Sequence, residues 1–175
     1  QKALAAQPGI AVVALAPAAL ERVSSNKEKC LYLSLKNALK DMERGQTPFT
    51  PAVTTLLQIH TRLKGIEANG GIAAERKRVC EMTEAFRSAI TEFPFEFVVT
   101  EPKNRSNAVT ALHPTTCGAK KIVQVLKDEY QIWVCPNGGE KADTIFRVGH
   151  IGYIQKQDIE ALLNALNDMK ARGIL

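Results

Sequence analysis

Arg147 lies in the run Ile145-Phe-Arg-Val-Gly-His-Ile-Gly-Tyr153, which reads as a strand with bulky apolar residues on both sides of the guanidinium. A group that stays charged at every accessible pH needs an anion or several acceptors in such a place. Gly149 and Gly152 remove side-chain bulk nearby, which permits close approach by a ligand or by another backbone. One chemistry meets these terms: a fork that grips a carboxylate through two parallel hydrogen bonds. An arginine reaching solvent from an edge strand, or an internal salt bridge, meets them too, and the run alone leaves both open.

Other chemistry-bearing residues are sparser. His150 falls on the opposite strand face from Arg147 and reads as a packed histidine, His60 sits on a helix beside apolar positions, and His113 precedes Pro114 in a loop. None has a carboxylate and a nucleophile close in sequence, as a triad signature would. Asn137-Gly-Gly139 is a turn, because no Lys-Ser/Thr pair follows it as in a phosphate-binding loop. Cys30, Cys80, Cys117 and Cys135 form no C-x-x-C pair and have no histidine at metal spacing, so no metal site is expected. They read as small buried hydrophobes of a reduced, intracellular protein. Composition gives no reason to single out Lys2.

The elements that must position these groups alternate. Gly9 to Ala16 is a continuous apolar run that predicts a strand buried on both faces, and Pro17 starts a short helix. Helical spacing follows from Leu31 to Met42. Thr47-Pro-Phe-Thr-Pro51 is a rigid extended loop, and it leads into a helix with Thr50 as N-cap and Pro51 as the first helical residue. That helix carries Val53, Leu56, Leu57, Ile59, Leu63 and Ile66 on a broad apolar face. After Gly70-Gly71 the chain predicts a helix from Ile72 to Phe93 and strands at Phe95–Val99 and Ala108–Leu112. A helix at Cys117–Lys127, strands at Gln131–Val134 and Ile145–Ile154 and a terminal helix at Asp158–Arg172 complete it. Residues 1–69 therefore resemble the tail of an α/β domain, and residues 70–175 an α+β unit complete in itself.

Composition narrows the function classes. With 175 residues, 45% hydrophobic and 23% charged, the chain is neither disordered nor fibrous. No uncharged apolar run approaches the roughly 20 residues of a membrane-spanning helix. The net charge of +5 is spread along mixed-charge faces and only 6% of residues are aromatic, so neither a basic footprint nor a stacking platform for nucleic acid is present.

Three ordered motifs carry a family resemblance. Gln1-Lys2-Ala-Leu-Ala-Ala-Gln-Pro-Gly-Ile resembles the Ser-Gln-Lys-Ala-Leu-x-x-Pro-Pro-Gly segment of class V aminotransferases, the fold-type-I enzymes of the alanine–glyoxylate and serine–pyruvate branch. Gly45-Gln-Thr-Pro-Phe-Thr-Pro51 and Phe146-Arg-Val-Gly-His-Ile-Gly152 continue the likeness, so it covers the whole chain. It implies an α/β protein: the end of the large cofactor-binding domain with its interdomain segment (1–69) and the complete small α+β domain (70–175). The implied cofactor is pyridoxal 5'-phosphate. Lys2 would be the Schiff-base lysine and proton shuttle, and Gln1 a contact to the cofactor phosphate. Thr50 would reach the phosphate of the neighbouring subunit's cofactor, which implies a homodimer. Thr47 stands where some relatives place a tyrosine with the same duty, and Arg147 would hold the substrate α-carboxylate. The implied reaction moves an amino group from a small amino acid, of alanine or serine type, to a 2-oxo acid such as glyoxylate or pyruvate, in the cytoplasm.

The departures are Gln7 where the family often has proline, and no serine before Gln1. In the family, the aspartate facing the pyridine nitrogen, the ring-stacking residue and most phosphate donors lie upstream of the matched region. The chain is therefore expected to be a C-terminal half, inactive by itself. A cysteine desulfurase would need a mobile cysteine ahead of the arginine. Cys135 has that order, but those enzymes usually carry histidine where Gln1 stands, and the loop from Cys135 to Thr144 is short. A 2-aminoethylphosphonate–pyruvate transaminase is a nearer relative, against which the Gln1-Lys2 pair and the Thr-Pro-Phe-Thr-Pro motif weigh. A non-catalytic α+β interaction module, with Arg147 structural and Lys2 incidental, is the reading from a different class.

Overall fold

Local signals fix where the helices begin, and they shift several boundaries from those the periodicity suggests. In the computed structural model, which describes residues 1–175, α1 spans Pro17–Ser25 with proline in its first turn. Helix α2 runs Leu35–Glu43 rather than from Leu31, because the buried Ser34 hydroxyl accepts from the Asn37 N–H at 3.0 Å and caps the helix there. Leu31 to Leu33 stay outside it, exposed. Helix α3 spans Val53–Ala68, two residues later than expected: Leu56 N–H bonds to Ala52 C=O, so Thr50 is not its cap and Pro51 lies ahead of it.

The chain divides into two compact units, Gln1 with Ala6–Arg62, and Lys2–Ala5 with Leu63–Leu175. The first has little core of its own; only Ala6, Ser34 and Thr55 are buried within it. Gly9 to Ala16 is not a strand. All four strands lie later in the chain, so this run has no ladder partner, and Val12 and Val13 are 84% and 60% exposed. The apolar face of α3 is likewise open at Val53, Leu56 and Leu57.

The second unit has the element order that the sequence predicts from residue 70 onward. Helix α4 (Gly71–Ile90) is followed by β1 (Phe95–Phe97), β2 (Val109–Pro114), α5 (Ala119–Tyr130), β3 (Cys135–Pro136), β4 (Phe146–Gly149) and α6 (Lys156–Ala171). The strands form one antiparallel sheet in the order β1-β2-β4-β3. Phe86, Ile90, Ile122, Leu126, Leu166 and Met169 from the helices pack with Leu112, Phe146 and Val148 from the strands. Alternation along the strands therefore sends Ala111 and Arg147 to the other, more open face.

Strand β3 lies beyond the predicted Gln131–Val134. Gln131 takes a left-handed conformation (φ 57°) at the end of α5, and Ile132 N–H returns to Leu126 C=O, so these residues close the helix instead. Strand β4 ends at Gly149, and the chain turns at Gly152 (φ 90°) well before Ile154. Helix α6 starts from a capping box between Gln155 and Asp158.

Candidate active site

Arg147 is on an interior strand, flanked by β2 and β3, which removes the edge-strand alternative. Its cross-strand neighbours are Ala111 and Cys135. The guanidinium is held by uncharged acceptors: Nη2 donates to the Pro136 carbonyl at 2.8 Å and to Cys135 Sγ at 3.2 Å. Its Nε is buried and has no partner. A cation held by neutral groups, with an orphaned donor, retains the capacity to bind an anion.

Lys2 is exposed and belongs to the same compact unit as Arg147. Its carbonyl accepts from Ala5 N–H at 3.0 Å in a tight turn and lies against Gly152. A Cβ on Gly152 would stand 2.8 Å from that oxygen, so only glycine fits. Of the two possibilities the sequence left for Gly152, the close approach is therefore to another backbone. The Gly152 segment is itself tied to α4. Arg78 donates to Ile154 C=O at 2.6 Å and to Gly152 C=O at 3.3 Å, and it is oriented by Glu75 through contacts of 2.9 and 3.0 Å. Glu75 holds the already permanent charge of Arg78 more firmly, raising its pKa.

Behind β4, His150 is completely buried, as the strand alternation predicts. Its Nε2 lies 2.8 Å from Thr110 Oγ1, and its ring centroid is 5.1 Å from that of Phe86. Burial, and secondarily the charge of Arg87, pushes its pKa down to about 4, so the ring is neutral. Arg87, also buried, bonds to Thr110, Ser106 C=O and Asn107, and pairs with Glu84. This network braces the sheet and presents no nucleophile.

Gln1, Thr47 and Thr50 are exposed residues of the first unit. The Thr47 hydroxyl donates to Phe49 C=O at 2.7 Å, which closes the Pro-rich loop on itself and leaves Thr50 as the freer of the two hydroxyls. Within that unit Gln7 N–H bonds to Gln58 Oε1 at 2.9 Å, and a Cβ on Gly9 would lie 3.5 Å from Ala52 Cβ, so the Gln7–Gly9 segment packs along the start of α3. The cysteines are all free, but not all are buried as expected. Cys30 and Cys135 are exposed, Cys135 because it sits on the last strand of the sheet. A cavity of about 520 Å³ between α4 and α6, lined by Met82, Phe86, Ile159 and Leu163 among others, contains none of the predicted site residues.

The chain matches no family profile. Curated relatives do match it along nearly its whole length. A soluble hydrogenase small subunit of Synechococcus is 29% identical over 98% of this chain and 44% of its own. An uncharacterized aminotransferase of Methanocaldococcus jannaschii is 30% identical over 93% and 43%. Among solved structures, alanine–glyoxylate aminotransferase from Nostoc superposes with a TM-score of 0.78 and 22% identity, covering 89% of this chain and 42% of that one. The chain is similar to class V aminotransferases. It spans less than half the length of those relatives and has the fold of their C-terminal part.

The residues of this chain are chemically suited to a pyridoxal phosphate. Lys2 offers an exposed amine on a backbone pinned at its carbonyl, Thr50 an exposed hydroxyl, and Arg147 a guanidinium with an orphaned donor. No helix is long and apolar enough to cross a membrane.

Proposed function

We propose that this chain is the C-terminal part of a pyridoxal-phosphate-dependent aminotransferase that moves an amino group from a small amino acid, of alanine or serine type, to a 2-oxo acid such as glyoxylate or pyruvate. Residues 1–69 would end the large domain and 70–175 form the small one. The observation that carries the proposal is the grouping of Lys2 with Arg147 in one compact unit, joined where Gly152 meets the Lys2 carbonyl. The buried, unpartnered Nε of Arg147 favours this reading over a non-catalytic module.

When bound, the cofactor supplies an electron sink for the charge that develops at the substrate Cα. Lys2 would hold it through its amine, which reacts only when neutral, and once freed would carry the proton removed from Cα. Gln1 and Thr50, with Thr47 in a lesser part, would contact the cofactor phosphate. Thr50 would do so across a homodimer, on a loop that two prolines stiffen. Arg147 would orient the amino acid by its carboxylate. Four free cysteines fit a reducing compartment such as the cytoplasm.

Steady-state kinetics of the complete enzyme test this reading. Lys2→Ala should abolish turnover. Arg147→Lys keeps charge but loses the fork, and it should raise the amino-acid KM by about ten-fold or more, with a smaller fall in kcat. Full activity in Lys2→Ala would refute the proposal.

A further inference from the structure

Antiparallel pairing puts Ala111, Arg147 and Cys135 in one row across the open face of the sheet. Directly opposed side chains on one face touch, and this register alone brings the Cys135 sulfur to the guanidinium. Both contacts from Arg147, to Cys135 Sγ and to Pro136 C=O, use Nη2. Neither uses Nη1, and Nε is buried without a partner. The guanidinium is thus anchored at one nitrogen, by one strong acceptor and one weak one. A carboxylate arriving at Arg147 finds donors still available at Nε and Nη1, so the sulfur contact to Nη2 can persist beside it. The carbonyl would meanwhile hold the plane of the guanidinium.

We propose that Cys135 is a positioning residue for Arg147: its sulfur, with the Pro136 carbonyl, holds the guanidinium in place for the substrate carboxylate. The proposal rests on Arg147 being the carboxylate grip.

The test uses the complete cofactor-loaded enzyme with alanine and glyoxylate, comparing wild type, Cys135→Ala, Cys135→Ser and Arg147→Met. Cys135→Ala should raise the alanine KM about five-fold with kcat within about two-fold, and Cys135→Ser, whose hydroxyl also accepts, should recover most of the loss. A second readout is independent of turnover. Glyoxylate should slow alkylation of Cys135 by iodoacetamide, followed by peptide mass, but not that of exposed Cys30, and Arg147→Met should abolish this protection. A Cys135→Ala enzyme with unchanged KM, or glyoxylate that leaves Cys135 alkylation unaltered in an active wild type, overturns the positioning role alone. A wild type that transaminates nothing overturns the underlying function, and the positioning role with it.

Discussion

The carbonyl of Lys2 faces Gly152 so closely that a methyl group on Gly152 would stand 2.8 Å from the oxygen. Gly152 also has φ 90°, a conformation that side chains with a Cβ rarely adopt. Gly152→Ala should therefore combine steric overlap with backbone strain and lower stability by about 1–3 kcal/mol. Gly149→Ala, where a Cβ would meet nothing within 4 Å and φ is not positive, should stay within about 0.5 kcal/mol of wild type. Urea unfolding of the two variants side by side checks the contrast, and equal midpoints would show that Gly152 is not wedged against Lys2.

The same segment depends on Arg78. Arg78→Met removes the donors to Gly152 C=O and Ile154 C=O and releases Glu75. The expected loss is about 1–3 kcal/mol, seen as a lowered Tm. Hydrogen exchange should rise in residues 151–155 before it rises in the helices. Uniform exchange across both would mean that Arg78 is not the tether.

His150 predicts a pH dependence. Its pKa is about 4 in the folded protein against 6.5 as the ordinary value, so between those limits the unfolded chain binds more protons than the folded one. Stability from this group is complete above pH 6.5, falls as pH drops toward 4, and changes no further below that. The total loss is roughly 3 kcal/mol. Thr110, Phe86 and Arg87 face the ring, and Arg87 keeps its charge throughout this range. The difference in unfolding free energy between wild type and His150→Leu should therefore slope with pH in that window and be flat above it. A flat difference throughout would place His150 in contact with water.

The 175-residue chain alone, given pyridoxal phosphate, alanine and glyoxylate, should show no turnover. The matched relatives are more than twice its length, and the first unit has almost no buried core. A visible absorbance band on adding the cofactor, with sustained turnover, would contradict this.

Much of this architecture was legible because period and punctuation agree after Gly70. Amphipathic stretches such as Val79–Phe93 and Ile159–Met169 bury most of the residues that their spacing selects, with Val79, Ala89 and Leu163 only partly covered, and Phe146, Val148 and His150 alternate inward as a strand requires. Arg147 stood out for the same reason, as a charge inside an apolar strand. The failures have tertiary causes. The run Gly9–Ala16 has strand composition but no partner, and ladder formation cannot be read from one strand alone. Gln131 has no left-handed signature of the kind glycine provides, so residue spacing puts the end of α5 and the start of β3 both too early. That shift hid Cys135 as the neighbour of Arg147, since register decides which side chains meet.

On the proposed function, Lys2 would carry the cofactor in a site that Arg147 completes. Borohydride reduction of the complete enzyme after loading with pyridoxal phosphate, followed by peptide mapping, tests it most directly. The expected result is one cofactor adduct per chain, on the peptide containing Lys2. An adduct confined to another lysine, with Lys2 unmodified, would contradict it.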